Sequence, residues 1–272
     1  MNKAYSLRER ILNKEVVIGM FYKFNSQAIV EMVGNAGFDF IIVDTEHSNY
    51  SSYDVEGLIR AAECVDMSAV IRIREAIPED VLHALDSGAD GVQIPSITSI
   101  ETAKDVCNSS KYYPEGNRGL STNQRAAMYS GWNKEVPYIE YSNKNSLVVV
   151  HVENKDMADR VDELLEIPQL DVIFVGPSDL SQSMGKPGQV NDPEVVAVIE
   201  QVFKKTLSKG KAVGIYCGTP ASIKKYVDLG ATYIAYGSDV TAMVGALKDL
   251  KKAADEILKN EETQAGTKAN TM

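Results

Sequence analysis

Eight short apolar runs alternate along the chain with longer segments in which apolar residues recur every three or four positions. Short runs of this kind indicate buried strands, and the periodic segments indicate amphipathic helices, such as residues 53–65 and 223–229. The predicted strands are residues 16–20, 40–44, 69–72, 91–95, 147–153, 172–176, 212–216 and 233–237.

Regular strand–helix alternation requires parallel strands that are joined by right-handed crossovers. Eight such repeats within about 250 residues are typical of a (β/α)8 TIM barrel, an α/β fold. A doubly wound open sheet is the alternative, but no predicted strand precedes the glycine-rich dinucleotide fingerprint that such sheets often carry. We therefore predict one (β/α)8 domain over residues 1–258, followed by a disordered polar tail over residues 259–272.

The charge of the chain limits its partners. Lys and Arg number 28 against 38 Asp and Glu, which gives a formal net charge of −10. This balance opposes attraction to nucleic acid and to anionic membranes, and it favours a small-molecule partner. No apolar run approaches the roughly 18 residues that span a bilayer, and the first residues lack the apolar core of a signal peptide. A cytoplasmic location is therefore expected.

The three cysteines, Cys64, Cys107 and Cys217, are far apart in the sequence. Their odd number and wide spacing argue against a disulfide framework and against a cysteine-based zinc site. We expect them to be buried thiols.

Polar side chains gather at the predicted carboxyl ends of the strands, which surround the active site of a TIM barrel. They are Asp44, Glu46, His47, Arg72, Gln93, His151, Glu153 and Asp179. The irregular segment 111–146 precedes the fifth strand, and we expect this long connection to contribute to the same site.

The segment 170–181 combines a buried strand with a Gly-Pro stop and the start of a short helix. Backbone N–H groups at a new helix N-terminus attract anions, so this turn is a candidate ligand site. The alternative is that Ser178 or Asp179 serves only as the N-cap of the helix.

Glu153 and Asp179 follow neighbouring predicted strands, so their carboxylates are expected to lie close together and to repel each other unless a cation lies between them. Two carboxylates that leave positions for water and substrate suit Mg²⁺ or Mn²⁺, whereas catalytic zinc usually has more histidine ligands. The alternative is that either carboxylate pairs with Arg72 or caps a helix.

His47 lies one residue after Glu46 and three after Asp44, so a carboxylate can orient its imidazole as a base. Arg72 is predicted to point into the barrel, where its guanidinium must meet either a protein carboxylate or a substrate oxygen. No predicted strand interior carries a lysine, so no Schiff-base nucleophile is evident.

Four stretches occur in a set order between about residues 15 and 255. They are GFDFIIVDTEH (37–47), VIR (70–72), YPEGNRG (113–119), and VE (152–153) with VGPSDLS (175–181) and MG (184–185). In this combination the chain resembles the HpcH/HpaI-type aldolases, which are metal-dependent (class II) pyruvate aldolases of the phosphoenolpyruvate/pyruvate barrel superfamily.

The resemblance implies a reversible aldol cleavage of a 4-hydroxy-2-oxo acid to pyruvate, or a related 2-oxo acid, and an aldehyde through a metal-bound enolate. It implies that Glu153 and Asp179 are the metal ligands, with Mg²⁺ or Mn²⁺ as the cofactor and Co²⁺ or Zn²⁺ as alternatives. Backbone N–H groups of Ser178 and Asp179 would bind the carboxylate of the 2-oxo acid.

The resemblance also implies that His47 is the proton acceptor and that Arg72 holds the keto oxygen as it becomes an enolate. Asp86 matches an acid that makes the histidine more basic, whereas Asp44 lies nearer to His47 in the sequence. Two alternative functions are a related lyase or hydrolase that acts on a CoA ester, and a barrel that binds a 2-oxo acid without turnover.

The chain departs from the family pattern in two places. His151 occupies a position where the family often has Gln, and we expect it to donate to the substrate instead. Residues 73–76 read Ile-Arg-Glu-Ala where the family often has Trp-Asn-Asp, so the rim is expected to select a different aldehyde. Family members are usually homo-oligomers, such as hexamers or trimers of dimers, that exchange a C-terminal helix, here predicted over residues 240–258.

Overall fold

The structure is a computed structural model that describes residues 6–269, with side chains described for residues 6–258. Parallel strands β1 to β8 form a closed barrel in sequence order, and β8 pairs with β1. This confirms the predicted (β/α)8 fold. The strands are β1 Val17–Tyr22, β2 Phe40–Asp44, β3 Ser68–Arg72, β4 Gly91–Ile94, β5 Leu147–Val152, β6 Val172–Val175, β7 Ala212–Cys217 and β8 Tyr233–Ser238.

Helices connect consecutive strands and cover the outside of the barrel, where their apolar faces join one large buried cluster with the outward side chains of the strands. They are α1 Leu7–Leu12, α2 Gln27–Asn35, α3 Ser52–Cys64, α4 Pro78–Asp86, α5 Ile100–Asn108, α6 Tyr138–Asn145, α7 Lys155–Asp159, α8 Val161–Leu165, α9 Pro177–Ser183, α10 Pro193–Ser208, α11 Pro220–Asp228 and α12 Asp239–Ala269, with a 3₁₀ helix over Arg125–Ser130.

The inside of the barrel is a second apolar cluster that fills the space between the strands. Gly214 leaves room for the ring of Tyr233, since a Cβ at Gly214 would lie 2.7 Å from that ring. The rings of Tyr233 and Phe40 stack with their centroids 4.5 Å apart. Small and large residues therefore alternate so that the interior is a packed core.

Helix α1 closes the amino-terminal end of the barrel. Its buried residues Leu7 and Ile11 belong to the interior cluster. Arg8 ion-pairs at 2.9 Å with Asp171, which directly precedes β6. Because this end is closed, the opposite, carboxyl-terminal end is the one that is open to a ligand.

The segment 111–146 lies at this closed end, because it connects the end of α5 to the start of β5. The buried ammonium of Lys111 donates to the carbonyl oxygens of Asn143 and Ser146, both at 2.7 Å. None of the residues that line the pocket described below comes from this segment. The prediction that the segment contributes to the active site of its own chain is therefore wrong, because a connection that follows the helix returns to the amino-terminal end of the next strand.

Helix α12 continues to Ala269 and so extends into the tail predicted over residues 259–272, of which residues 270–272 lie outside the described residues. In the described part of the chain, no helix is both long enough and apolar enough to cross a membrane. Cys107 and Cys217 are buried as predicted, whereas Cys64 is exposed on α3.

Candidate active site

The carboxyl ends of the strands enclose a pocket of about 310 Å³. Most of the residues predicted from the strand ends line it, and aromatic rings supply much of the remaining wall. The lining residues are Phe21, Lys23, His47, Arg72, His151, Glu153, Phe174, Gly176, Pro177, Ser178, Asp179, Tyr216 and Ser238.

Arg72 and Asp44 form the floor of the pocket. They are register partners on β3 and β2, and the guanidinium contacts both carboxylate oxygens, with Nε 2.9 Å from Oδ1 and Nη2 2.6 Å from Oδ2. Nη1 of Arg72 lies 2.9 Å from Oε2 of Glu46. Protein carboxylates therefore hold the guanidinium, and its remaining N–H groups and its position in the lining leave it able to meet a substrate oxygen as well.

Asp44 is held ionised by these contacts. Burial by itself would raise the pKa of this carboxyl, but the hydrogen bonds and charge of Arg72, together with Lys23 and the backbone N–H of His47, lower it to about 2. The ammonium of Lys23 lies 2.6 Å from Oδ2 of Asp44. Asp44 is thus a fixed negative charge that two cations share.

The imidazole of His47 faces the open part of the pocket and is 61% exposed. Its backbone N–H donates to Oδ1 of Asp44 at 3.2 Å, and its Nε2 lies 3.7 Å from Oε2 of Glu46. Asp44 therefore holds the loop that carries His47, whereas Glu46 is the carboxylate beside the ring.

Asp86 does not reach this site within the described part of the chain. It is the last residue of α4, which begins after β3 and runs back to the closed end of the barrel. There it ion-pairs with the buried guanidinium of Arg118. Within a single chain, α4 places Asp86 and His47 at opposite ends of the barrel. Asp86 therefore does not contact His47 of the same chain, as the prediction would require.

Glu153 follows β5 and is almost buried. Its Oε1 accepts from the backbone N–H of Ser96 at 2.6 Å, and its Oε2 lies 2.7 Å from Nδ1 of His151. Burial would raise the pKa of Glu153, but the hydrogen bonds from His151 and from the Ser96 N–H, together with the charge of Arg72, lower it below its usual value. Glu153 is therefore a carboxylate at neutral pH.

Both ring nitrogens of His151 are bound by protein groups. Nδ1 contacts Glu153, and Nε2 lies 2.7 Å from Nε2 of Gln93. The ring also stacks on Phe174 with the centroids 4.8 Å apart. The expectation that His151 donates to the substrate is therefore corrected, since neither of its nitrogens is free to do so in this arrangement.

Asp179 lies in the first turn of α9, which begins after the Gly-Pro stop as predicted. Gly176 is the N-cap residue, and no side chain caps the helix, so neither Ser178 nor Asp179 is an N-cap. Within residues 6–258, the Asp179 carboxylate has no hydrogen-bond or ion-pair partner. This corrects the alternative that Asp179 serves only as a cap.

Gly176 lies where the two predicted metal ligands converge. A Cβ at Gly176 would lie 3.3 Å from Oε2 of Glu153 and 3.8 Å from Oδ2 of Asp179. Any side chain here would fill the space that the two carboxylates face. The position of this glycine therefore leaves room for a small cation beside them.

The charges of the site also fit a divalent cation. The described pocket and its floor contain four carboxylates against the two permanent cations of Lys23 and Arg72. The carboxylates are those of Asp44, Glu46, Glu153 and Asp179. Among the described residues, no three His, Cys, Asp or Glu side chains are grouped to hold a metal ion by themselves. Oxygen ligands from two carboxylates, completed by water and substrate, match the preference of Mg²⁺ or Mn²⁺.

Sequence reasoning missed several residues of the pocket. Lys23 follows β1, whose end is two residues later than predicted, so the lysine was not recognised at a strand end. The predicted strands contain Phe174 and Tyr216, and the first of them ends just before Phe21. The strand alternation that places Arg72 inside the barrel also applies to these three rings.

Comparison with known proteins points to the same family as the sequence motifs. The model of the HpcH/HpaI aldolase/citrate lyase family matches residues 17–246. The 5-keto-4-deoxy-D-glucarate aldolase of Enterobacter sp. (strain 638) is 34% identical over 238 residues, which cover 87% of this chain and 91% of that protein.

The hydroxypyruvate/pyruvate aldolase of Agrobacterium fabrum is 30% identical over 233 residues, which cover 86% of this chain and 87% of that protein. Among solved structures, an HpcH/HpaI aldolase/citrate lyase family protein from Burkholderia cenocepacia superposes with a TM-score of 0.86 at 28% identity. That superposition covers 92% of this chain and 98% of the other.

Proposed function

The chain belongs to the HpcH/HpaI aldolase/citrate lyase family, and from this premise we propose that it is a carbon–carbon lyase that cleaves a 4-hydroxy-2-oxo acid reversibly. The products are pyruvate, or a related 2-oxo acid, and an aldehyde. The observation that carries the proposal is the convergence of Glu153 and Asp179 beside Gly176, in the same pocket as Arg72 and His47.

Glu153 and Asp179 are the proposed ligands of a divalent cation, Mg²⁺ or Mn²⁺. When bound, such a cation acts as a Lewis acid that makes the C–H beside a keto group more acidic. The low pKa of Glu153 supports this assignment, because the carboxylate that would bind the cation is already ionised at neutral pH.

Arg72 is proposed to bind the keto oxygen and to stabilise the negative charge that develops there. Its guanidinium is held in place by Asp44 and Glu46, so little reorganisation is needed as the charge develops. The backbone N–H groups of Ser178 and Asp179 open a helix without a side-chain cap and are proposed to bind the carboxylate of the 2-oxo acid.

His47 is proposed to move the proton on and off the hydroxyl that becomes the aldehyde oxygen. Its exposed ring lies at the open part of the pocket, where the aldehyde portion of a substrate would enter. Glu46, 3.7 Å from Nε2, can stabilise the positive charge that the ring acquires when it accepts a proton.

A homo-oligomer is proposed on the basis of the last helix. Several large apolar side chains of α12 are exposed in the single chain, including Leu247 and Leu250, which are 57% and 70% exposed. Covering such a face against another copy of the chain would remove it from water. The predicted exchange of this helix between subunits remains a proposal.

The experiment that tests the proposed function measures pyruvate release from 4-hydroxy-2-oxo acids. The relatives' names supply the first compounds, namely 5-keto-4-deoxy-D-glucarate for cleavage, and pyruvate and hydroxypyruvate for the reverse reaction. Activity should be lost in EDTA and return with Mg²⁺ or Mn²⁺. Full activity in EDTA would contradict the proposal.

A further inference from the structure

A buried series of hydrogen bonds leads from β8 to the proposed metal ligand Glu153. The hydroxyl of Tyr233 donates to Oε1 of Gln93 at 2.9 Å, and Nε2 of Gln93 lies 2.7 Å from Nε2 of His151. Nδ1 of His151 lies 2.7 Å from Oε2 of Glu153. Tyr233 and Gln93 are fully buried, and His151 is 2% exposed, so bulk water does not compete for these bonds.

The hydroxyl of Tyr233 fixes the orientation of the Gln93 amide. In the described part of the chain, Oε1 of Gln93 is the one acceptor that the hydroxyl reaches. If the amide were turned over, the buried phenolic proton would lose its acceptor, which is costly in a dry interior. The amide N–H₂ group therefore faces His151.

The amide in turn fixes the proton of the imidazole. An amide N–H can only donate, so Nε2 of His151 must accept and the ring proton lies on Nδ1. The Nδ1–H group then donates to Oε2 of Glu153. Stacking of the ring on Phe174 restricts the ring further.

We propose that Gln93 and His151 are positioning residues that orient the carboxylate of Glu153 for the cation. The inference rests on the proposed function, since it concerns the same metal site. It assigns a role to His151, at a position where the family often has Gln: His151 contacts Glu153 instead of the substrate. Groups that hydrogen-bond to a ligating carboxylate commonly change metal affinity when they are removed.

The first test is an NMR measurement of the ring nitrogens in the full-length, metal-free protein labelled with ¹⁵N-histidine. The chain has three histidines, so the ring signals can be assigned with His47→Ala and His83→Ala variants. His151 is expected to have a protonated Nδ1 and an unprotonated Nε2. A proton on Nε2 with a bare Nδ1 would overturn the inference.

The second test is a double-mutant cycle in which calorimetry measures the dissociation constant for Mn²⁺ alone. Gln93→Met should weaken Mn²⁺ binding by about tenfold or more, because the ring loses the donor that orients it. In a His151→Leu background, in which no ring nitrogen accepts from Gln93, the same Gln93→Met change should have less than about a twofold effect, because Gln93 acts through His151.

Equal losses in the two backgrounds would show a general structural effect and would overturn the inference. The two proposals fail separately. If the wild-type protein binds no Mn²⁺ in the calorimeter, the proposed function is contradicted. The ¹⁵N measurement uses metal-free protein, so it tests the arrangement of Gln93, His151 and Glu153 independently of metal binding.

Discussion

The guanidinium of Arg72 and the carboxylate of Asp44 form a buried two-point ion pair, with contacts of 2.9 and 2.6 Å, at the floor of the pocket. Lys23 adds a third contact to the same carboxylate at 2.6 Å. Removal of this negative charge would leave Lys23 without its ion-pair partner and Arg72 with the carboxylate of Glu46 alone. The floor of the site is therefore also a point on which the stability of the barrel depends.

The variant Asp44→Asn should lower the free energy of unfolding by about 3–5 kcal/mol, as expected when one partner of a buried ion pair is removed. Urea unfolding at pH 7 measures this change. Asp179→Asn is the matched control, because its carboxylate has no partner in the described chain, and its stability should stay near that of the wild type. Equal losses of stability in the two variants would show that the ion pairs of Asp44 do not stabilise the barrel.

The contribution of Asp44 should disappear in acid. Its folded-state pKa, about 2, lies below the unfolded value of about 3.9, so the stabilisation is present above pH 4 and is lost as the pH falls towards 2. The difference in unfolding free energy between the wild type and Asp44→Asn should therefore narrow from pH 5 to pH 3. Urea titrations at several pH values check this, and a constant difference would be inconsistent with it.

Lys111 should give a pH dependence of the same sign as Asp44, but in the alkaline range. Burial lowers the pKa of this ammonium to about 8, below the unfolded value of about 10.4. Between these values the unfolded state binds more protons, so the free energy of unfolding should rise with pH, by at most about 3 kcal/mol. The wild type should gain stability relative to Lys111→Met between pH 8 and 10, and a parallel pH profile of the two proteins would refute the prediction.

Lys23 lines the pocket but should not form a Schiff base. Its Nζ is held in an ion pair 2.6 Å from Oδ2 of Asp44, which directs it away from a keto carbon in the pocket. Borohydride treatment in the presence of pyruvate should leave the protein mass unchanged. A covalent adduct that forms on the wild type and is missing from Lys23→Met would show that Lys23 is the nucleophile instead.

Arg72→Lys should lower kcat/KM by about a hundredfold, because lysine keeps the charge but loses the fork that contacts Asp44 and Glu46 and that we propose binds a keto oxygen. Steady-state kinetics with saturating Mn²⁺ measure the loss. Arg60→Lys, on the exposed face of α3 and outside the pocket lining, is the matched control and should keep wild-type kinetics. Activity of Arg72→Lys within a few-fold of the wild type would remove Arg72 from the mechanism.

The sequence was sufficient to predict the eight strands, because each buried strand of a parallel barrel is a short apolar run. It also predicted that Arg72, His151, Glu153 and Asp179 share one pocket, since the carboxyl ends of the strands meet there. The spacing of apolar residues could not show where β1 ends, and the position of Lys23 was missed for this reason.

Other features depend on contacts that are distant in the sequence. The contacts of His151 could not be predicted, because Gln93 lies 58 positions earlier and approaches its ring from the neighbouring strand. The segment 111–146 was placed at the wrong end because its irregular composition indicates a loop but does not show at which end of the barrel that loop lies. Asp86 lies at the end of α4 that is far from the pocket of its own chain, which the motif by itself does not show.

We propose that the carboxylates of Glu153 and Asp179 hold a cation that assists removal of a proton from a 2-oxo acid. The most direct measurement is the exchange of pyruvate methyl protons in D₂O, followed by ¹H NMR, because it needs no knowledge of the aldehyde. We predict rapid exchange with Mg²⁺ or Mn²⁺, none above background in EDTA, and a loss of metal-dependent exchange in Glu153→Gln and Asp179→Asn. Exchange at the full rate in EDTA, or in both variants, would contradict a metal site at these two carboxylates.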